Sequence, residues 1–381
     1  MTDVRKATRQ DLKRHNRATL LRAIVYGLAD NRAALAQITG LAKPTVSDLI
    51  GELIAEGFLI ERGTGEAAEN GGKRPRLLEF VPSARQVIGV SIDAGRVTGV
   101  LADLSGRIVA EHRARLDGTP VIDILTDAIN GLIAQLDAPL LCIGVGVPGV
   151  VDSERGIVEH SAALDWRRVD LADRLAAALG CPVSVGNNTE LAALAQFAFR
   201  GGERDNAHNL VTILVNSSTE IGVALRGAHY HHGGDIGGLR ALPSGRSLAH
   251  ALTWAAIQQR ARELSPSYPA TTLLLDDLSP LSVRYAAANG DALAGCLIDE
   301  LVSALALVTA WTIMLLHPQH VVLAGEIAEL GADLVARLRA QLAAHIGTDI
   351  VDGVTFSWTE DAHISAIGAA AHAIHRELEV L

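Results

Sequence analysis

Apolar residues recur at helical spacing near the start of the chain. Leu20, Leu21, Ile24, Val25 and Leu28 form one stripe, which predicts an amphipathic helix over 17–28. Asp30-Asn31 supplies stop-and-cap chemistry for a second short helix over 32–38. Thr39-Gly40-Leu41-Ala42 reads as a tight turn, and Lys43-Pro44 opens a third helix, because the N–H that proline lacks has no partner in a first helical turn anyway. That helix turns Val46, Leu49, Leu53 and Ile54 inward and Lys43, Thr45, Ser47 and Asp48 outward, and Gly57 ends it. Residues 58–62 and 76–81 then read as strands around a glycine-rich segment that closes with Gly71-Gly72-Lys73-Arg74-Pro75-Arg76. The pattern predicts a winged helix-turn-helix over residues 1–82, the geometry that lays a recognition helix in a major groove. Lys43, Thr45 and Ser47 are placed to face base edges. Arg14, Arg17, Lys73, Arg74 and Arg76 are placed to hold backbone or minor groove.

Beyond residue 85 the pattern changes. Apolar strands are predicted over 87–92, 97–104 and 107–113, with helices and strands alternating after them. A second strand–turn–strand, 210–215 and 221–225, echoes the first. Two lobes that each open on a hairpin are the signature of a duplicated α/β fold. The expected divisions are a first lobe over 86–205 with 366–381 and a second over 206–365, the latter carrying dimerisation and the effector pocket. The longest apolar run, Leu301 to Leu316, falls short of the ~20 residues of a membrane span and is stopped by His317-Pro318. It is read as a buried helix between the lobes.

Charge sharpens the division. Residues 1–85 hold 14 Lys and Arg against 10 Asp and Glu, whereas the remainder holds 19 against 33, within a total of −10. A basic head on an acidic body expects a polyanion at the head alone. With 3% aromatics, the core is built from Ala, Leu, Val and Ile. Three dispersed cysteines argue against a disulfide framework, and the polar N-terminal stretch lacks a signal-peptide pattern. A soluble cytoplasmic protein without a membrane partner is expected.

Several motifs carry a resemblance to regulators of the ROK family (repressors, open reading frames and kinases) over nearly the whole chain. Gly40-Leu-Ala-Lys-Pro-Thr-Val-Ser47 and Gly71-Gly-Lys-Arg-Pro75 resemble its recognition helix and wing. Gly144-Val-Gly-Val-Pro-Gly-Val-Val-Asp152 resembles its glycine-proline loop at the sugar cleft, and Leu164-Asp-Trp166, Leu171 to Gly180 and Pro182-Val183 resemble the run into the active-site strand. His317-Pro318, Val321 to Gly325 and Ala366 to Ala370 resemble the C-terminal stretch. The resemblance implies an α/β, two-lobed actin/hexokinase-like (ribonuclease H-like) body behind the winged head.

It also implies that the catalytic parts are lost. Phosphoryl transfer needs a phosphate cradle, a metal and a base. The family's Asp-x-Gly-Gly-Thr hairpin becomes Ser91-Ile92-Asp93-Ala94-Gly95, and its Gly-Thr-Gly-x-Gly hairpin becomes Asn216-Ser217-Ser218-Thr219-Glu220, with a carboxylate where phosphates would sit. Asn187-Asn188 stands for Asn-Asp, and an amide cannot act as general base. Gly238 stands at the family's zinc-binding histidine, and the cysteines that follow it are missing from 239–254.

No catalytic residue, cofactor or metal is therefore expected. Pro148, Gly149, Asn187, Asn188 and Asp235 line up with sugar-contacting neighbourhoods, so a sugar or sugar derivative is the favoured effector, with another small molecule or none as alternatives. His229, His231 and His232 near Asp235 have donors for a transition metal but read more simply as a polar loop at the cleft mouth. Glu190 and Glu326 are read as pocket-shaping or solvated. The expected partners are double-stranded operator DNA, the effector and further copies of the chain, as dimer or tetramer. The rival readings are a sugar kinase with an appended head and an effector-independent DNA-binding protein.

Overall fold

A computed structural model describes residues 9–64, 74–93, 95–198, 209–216, 218–225, 228–240, 245–359 and 363–380. The head contains α1 (Arg9–Val25), α2 (Arg32–Thr39), α3 (Lys43–Ala55) and the antiparallel pair β1 (Leu59–Thr64) and β2 (Arg76–Phe80). Asn31 caps α2, its Oδ1 accepting from the N–H groups of Ala33 and Ala34 at 3.1 and 3.0 Å, and Gly40 leaves the helix at φ +70°. Leu20, Leu21, Leu35, Ile50 and Leu53 fill the centre. The predicted helix overran α1 by three residues, because α1 ends at Val25 and the turn at Gly27 leaves Leu28 exposed.

The body holds two five-stranded sheets of the same design. The first contains β3 (Gln86–Asp93), β4 (Arg96–Asp103), β5 (Ile108–Arg115), β6 (Leu140–Val147) and β10 (Val183–Asn187), in the order β10-β6-β3-β4-β5. The second contains β11 (Asn209–Val215), β12 (Thr219–Leu225), β13 (Ala228–Asp235), β14 (His320–Gly325) and β15 (Thr355–Trp358), in the order β15-β14-β11-β12-β13. In each, the first strand pairs antiparallel with the second and parallel with the fourth. The duplicated hairpin read from sequence is thus a duplicated sheet, and the chain has the two-lobed actin/hexokinase-like architecture. A small sheet of β7 (Val150–Asp152), β8 (Ile157–Ser161) and β9 (Trp166–Asp170) follows β6, and α4 (Val121–Ile133) and α5 (Leu171–Leu179) pack into the first lobe's core.

Between the sheets lie α6 (Asn188–Ala198) and α13 (Ile364–Leu378). α13 packs on β3 and β6, α6 packs on β11 and β12, and the two helices pack on each other. Glycine permits this depth. A methyl group on Gly368 would lie 1.8 Å from the Leu191 carbonyl oxygen, and one on Gly222 would lie 2.4 Å from that of Thr189.

The apolar run expected between the lobes is elsewhere. It forms α10 (Ala292–Leu316), a 25-residue helix that Asp291 caps, and it packs within the second lobe beside α8 (Trp254–Leu264), α9 (Pro280–Ala288) and α11 (Gly331–Ile346). α10 is long and apolar enough to cross a membrane, but 61% of its most apolar stretch is buried in the lobe. Apolarity marked it as buried without saying where. Small residues such as Gly368 and Ala369, which let α13 approach its neighbours closely, decided which helix sits between the sheets.

Candidate functional site

The residues expected to face base edges lie on α3. Lys43 and Ser47 are exposed, and Thr45 is half-buried beside them. Arg74 and Arg76 are exposed where the chain enters β2, while Lys73 lies outside the described residues. Arg76 is engaged by Glu61, which Arg32 also holds at 2.7 Å, and these two arginines keep the Glu61 carboxyl below its ordinary range.

Two further arginines expected on nucleic acid are also committed within the protein. Arg17 grips Glu56 with both terminal nitrogens and sits 6.0 Å from the centre of the Phe58 ring. A bidentate carboxylate must be given up before such a guanidinium reaches a phosphate. Arg14 donates to the Arg376 carbonyl and pairs with Glu379 at 3.3 Å, while Arg22 donates to the Glu379 carbonyl. Both therefore tie α1 to the end of α13. One apolar cluster spans the junction, joining Leu21, Leu53 and Phe58 to Val87, Ala373 and Ile374.

The second candidate is the cleft between the lobes. Asn187 ends β10, and its Oδ1 accepts from the N–H groups of Thr189 (2.8 Å) and Glu190 (3.1 Å), which caps α6. Its Nδ2 donates to the Gly149 carbonyl at 2.8 Å and to Glu220 Oε2 at 3.0 Å. Both donors and both lone pairs of this amide are used, so Asn187 is an architectural residue here and not the free ligand contact expected. Glu220 is 2% exposed; Thr189 donates to its Oε2 at 2.5 Å and Ser218 to its Oε1 at 2.8 Å. Glu220, expected where phosphates would sit, is a hydrogen-bonded strut from the second sheet to the first.

Asn188 is also buried, and its Nδ2 donates to the Ile92 carbonyl at 2.7 Å. Among the described residues its Oδ1 has no hydrogen-bond partner, and it occupies the space that the missing side chain of Gly146 leaves. Pro148 and Gly149 form the turn after β6, Gly149 at φ +111°. Asp235 ends β13 in register with Glu220, but its side chain, like those of His229, His231 and His232, lies outside the described residues.

Next to Asn188 a polar cavity of about 140 Å³ opens between the hairpin turns. Ser91, Asp93, Arg96 and Arg113 line it from the first lobe, Asn216 and Glu326 from the second, and Ser365 from α13. Burial pushes the Glu326 carboxyl up; Arg96 opposes this, while Asp93 and Glu329 add to the rise. Glu326 is thus half-buried, and Glu190 is fully buried, neither being simply solvated. Sequence reasoning missed Arg96, Arg113 and Ser365. Arg96 alone left a signal, as a charge close to the noted Asp93 at a hairpin end.

The comparisons with known proteins agree with this architecture. The model of the ROK family matches residues 87–376. The xylose repressor of Bacillus subtilis is 32% identical over 225 residues, 58% of this chain and 57% of that protein, so the match covers little more than half of the relative. The DNA-binding transcriptional dual regulator NagC of Escherichia coli is 26% identical over 374 residues, 92% of this chain and 91% of that one. Among solved structures, a ROK family transcriptional regulator described as a homologue of the E. coli MLC protein superposes with a TM-score of 0.79 at 22% identity, covering 96% of this chain and 98% of its own.

Proposed function

The chain belongs to the ROK family, and from that premise we propose that it is a DNA-binding transcriptional repressor whose kinase-like body has given up phosphoryl transfer and senses a small molecule, a sugar or sugar derivative, in the cleft. The names of its relatives, a xylose repressor and the regulator NagC, support the class of function and of effector. The DNA face consists of Lys43, Thr45 and Ser47 toward the bases, with Lys73, Arg74 and Arg76 of the wing toward the backbone or minor groove. Such a protein works beside the chromosome, in the cytoplasm. The loss of the phosphoryl-transfer parts is supported by Asn188 at the base position and by Glu220, whose carboxylate stands in the former phosphate loop with its hydrogen bonds made inside the protein.

The observation that carries the sensing half of the proposal is a helix with two ends. The first residues of α13, Ile364 and Ser365, line the cleft cavity, and its last turn takes the hydrogen bonds of Arg14 and Arg22. Its 15 residues span about 22 Å at 1.5 Å per residue. A ligand that prefers one closure of the lobes acts on this rod and so on the head, shifting the population that fits two half-sites.

Selection of duplexes from a random DNA pool, followed by titration across salt concentrations, tests the DNA half. The Arg74→Ala, Arg76→Ala double variant should bind more weakly, its salt slope reduced by about 0.9 for each phosphate it no longer neutralises. Failure to enrich any duplex overturns the reading. A coupled ATP assay over a panel of hexoses should show no turnover, and turnover abolished by changing Asn188 would establish the kinase rival instead.

A further inference from the structure

Glu61 holds two arginines that come from different parts of the head. On the antiparallel pair it stands opposite Leu78, and Arg76, two residues before Leu78, projects from the same face as its diagonal neighbour. The Leu78 N–H donates to the Asp30 carbonyl at 2.7 Å, which seats β2 against the start of α2, where Arg32 is the first residue. Arg32 accordingly donates to Glu61 Oε1, and Arg76 donates to Oε2. The two are not equally held down: the Arg76 side chain is 66% exposed and that of Arg32 31%. Arg74 and Lys43, by contrast, are exposed and pair with no carboxylate among the described residues.

We propose that Glu61 is a specificity-determining residue of the head, which withholds Arg76 from the phosphates of ordinary duplex and yields it on the operator. This role rests on the repressor reading. Contacts to phosphate supply affinity for any sequence, so each cation that reaches them unconditionally narrows the margin by which an operator is preferred. Lys43 and Arg74 are such cations. Arg76 is not, because a phosphate must compete with a carboxylate already in place.

An exposed ion pair is weak enough for that exchange to go either way. The phosphate wins where α3 is seated on its bases and the wing is thereby fixed in register with the backbone. It loses where the head rests loosely on other sequences. Sharing makes the exchange workable: when the more exposed Arg76 leaves, Arg32 still neutralises Glu61. No bare carboxylate is left facing the DNA.

The test uses the full chain, a duplex enriched from the random pool and an unselected duplex of the same length, titrated by fluorescence anisotropy from about 50 to 200 mM salt. Glu61→Gln should steepen the salt slope on the unselected duplex by about 0.9, one phosphate, and raise affinity for it about 8-fold at about 0.1 M salt, while changing the enriched duplex less. Removing a negative charge raises affinity by itself, so the deciding variant combines Glu61→Gln with Arg76→Ala, in which the gain on the unselected duplex should vanish. If circular dichroism shows Glu61→Gln to be unfolded, Arg76→Ala alone decides. It should lower the slope on the enriched duplex by about 0.9 and weaken that duplex more than the unselected one. No gain from Glu61→Gln, an equal gain on both duplexes, a gain that survives in the double variant, or an equal loss from Arg76→Ala overturns the proposal and leaves the repressor reading standing. A wild-type chain that enriches no duplex overturns both.

Discussion

The hairpin turns that open the two lobes occupy equivalent places in sheets of one strand order, yet their charged side chains meet opposite surroundings. In the first, Asp93 faces Arg96 across the β3–β4 pair at the edge of the cavity, and Arg96 is exposed. In the second, Glu220 is buried and takes hydrogen bonds from Asn187, Thr189 and Ser218. A charge beside solvent is cheap to keep and cheap to lose. A buried one persists only with donors built around it, and losing it strands them. Turns at equivalent places in the two sheets thus form part of a pocket wall in one lobe and a cross-link between lobes in the other.

The largest effect expected from breaking this contrast is at the strut. Glu220→Ala should lower unfolding free energy by about 2–4 kcal/mol in urea titrations, because it leaves the Thr189 hydroxyl and one Asn187 donor without an acceptor in a buried corner. Glu220→Gln retains an amide oxygen for those donors and should cost only about 1 kcal/mol. If the two variants lose the same amount, the role assigned to hydrogen bonding at Glu220 is wrong.

An intermediate effect is expected opposite the first hairpin. Because burial raises the folded-state pKa of Glu326, the folded state favours its protonated form. The stability this residue allows is fully present below the ordinary glutamate value of 4.5 and declines as pH rises from there through the raised folded value. Glu326→Gln should remove that decline, so thermal melts at pH 5 and pH 8 should lie closer together than in the wild type. The smallest effect is at the exposed turn itself, where Asp93→Asn should change stability by less than about 0.5 kcal/mol in the same urea titration.

Much of the head was legible because its signals are local. The Asn31 cap, the left-handed Gly40 and Pro44 in the first turn of α3 each act within a few residues, and each lies where the pattern put it. The sheets were legible from their apolar strands, except for β13, whose histidine-rich segment reads as a polar loop, and the four-residue β15. The strands β7 to β9 were not, since three to five residues of mixed polarity carry too little alternation to register. At the cleft, composition marked Asn187 and Asn188 as polar residues after a strand. It could not reveal that one amide is wholly consumed in capping α6 and holding Glu220 while the other keeps an oxygen unpaired.

By itself the sequence determined the winged head and the repeated hairpins, because each is written in neighbouring residues. Tertiary structure alone decided that α13 and α6, not α10, lie between the sheets, that Arg14 and Arg17 serve the protein's own joints, and that Glu220 is a strut. Those outcomes depend on distant partners, such as Asn187 for Glu220, 33 positions away, and Arg376 for Arg14, 362 positions away. Burial and pairing across such separations are set by how the whole chain packs, and no local pattern encodes them.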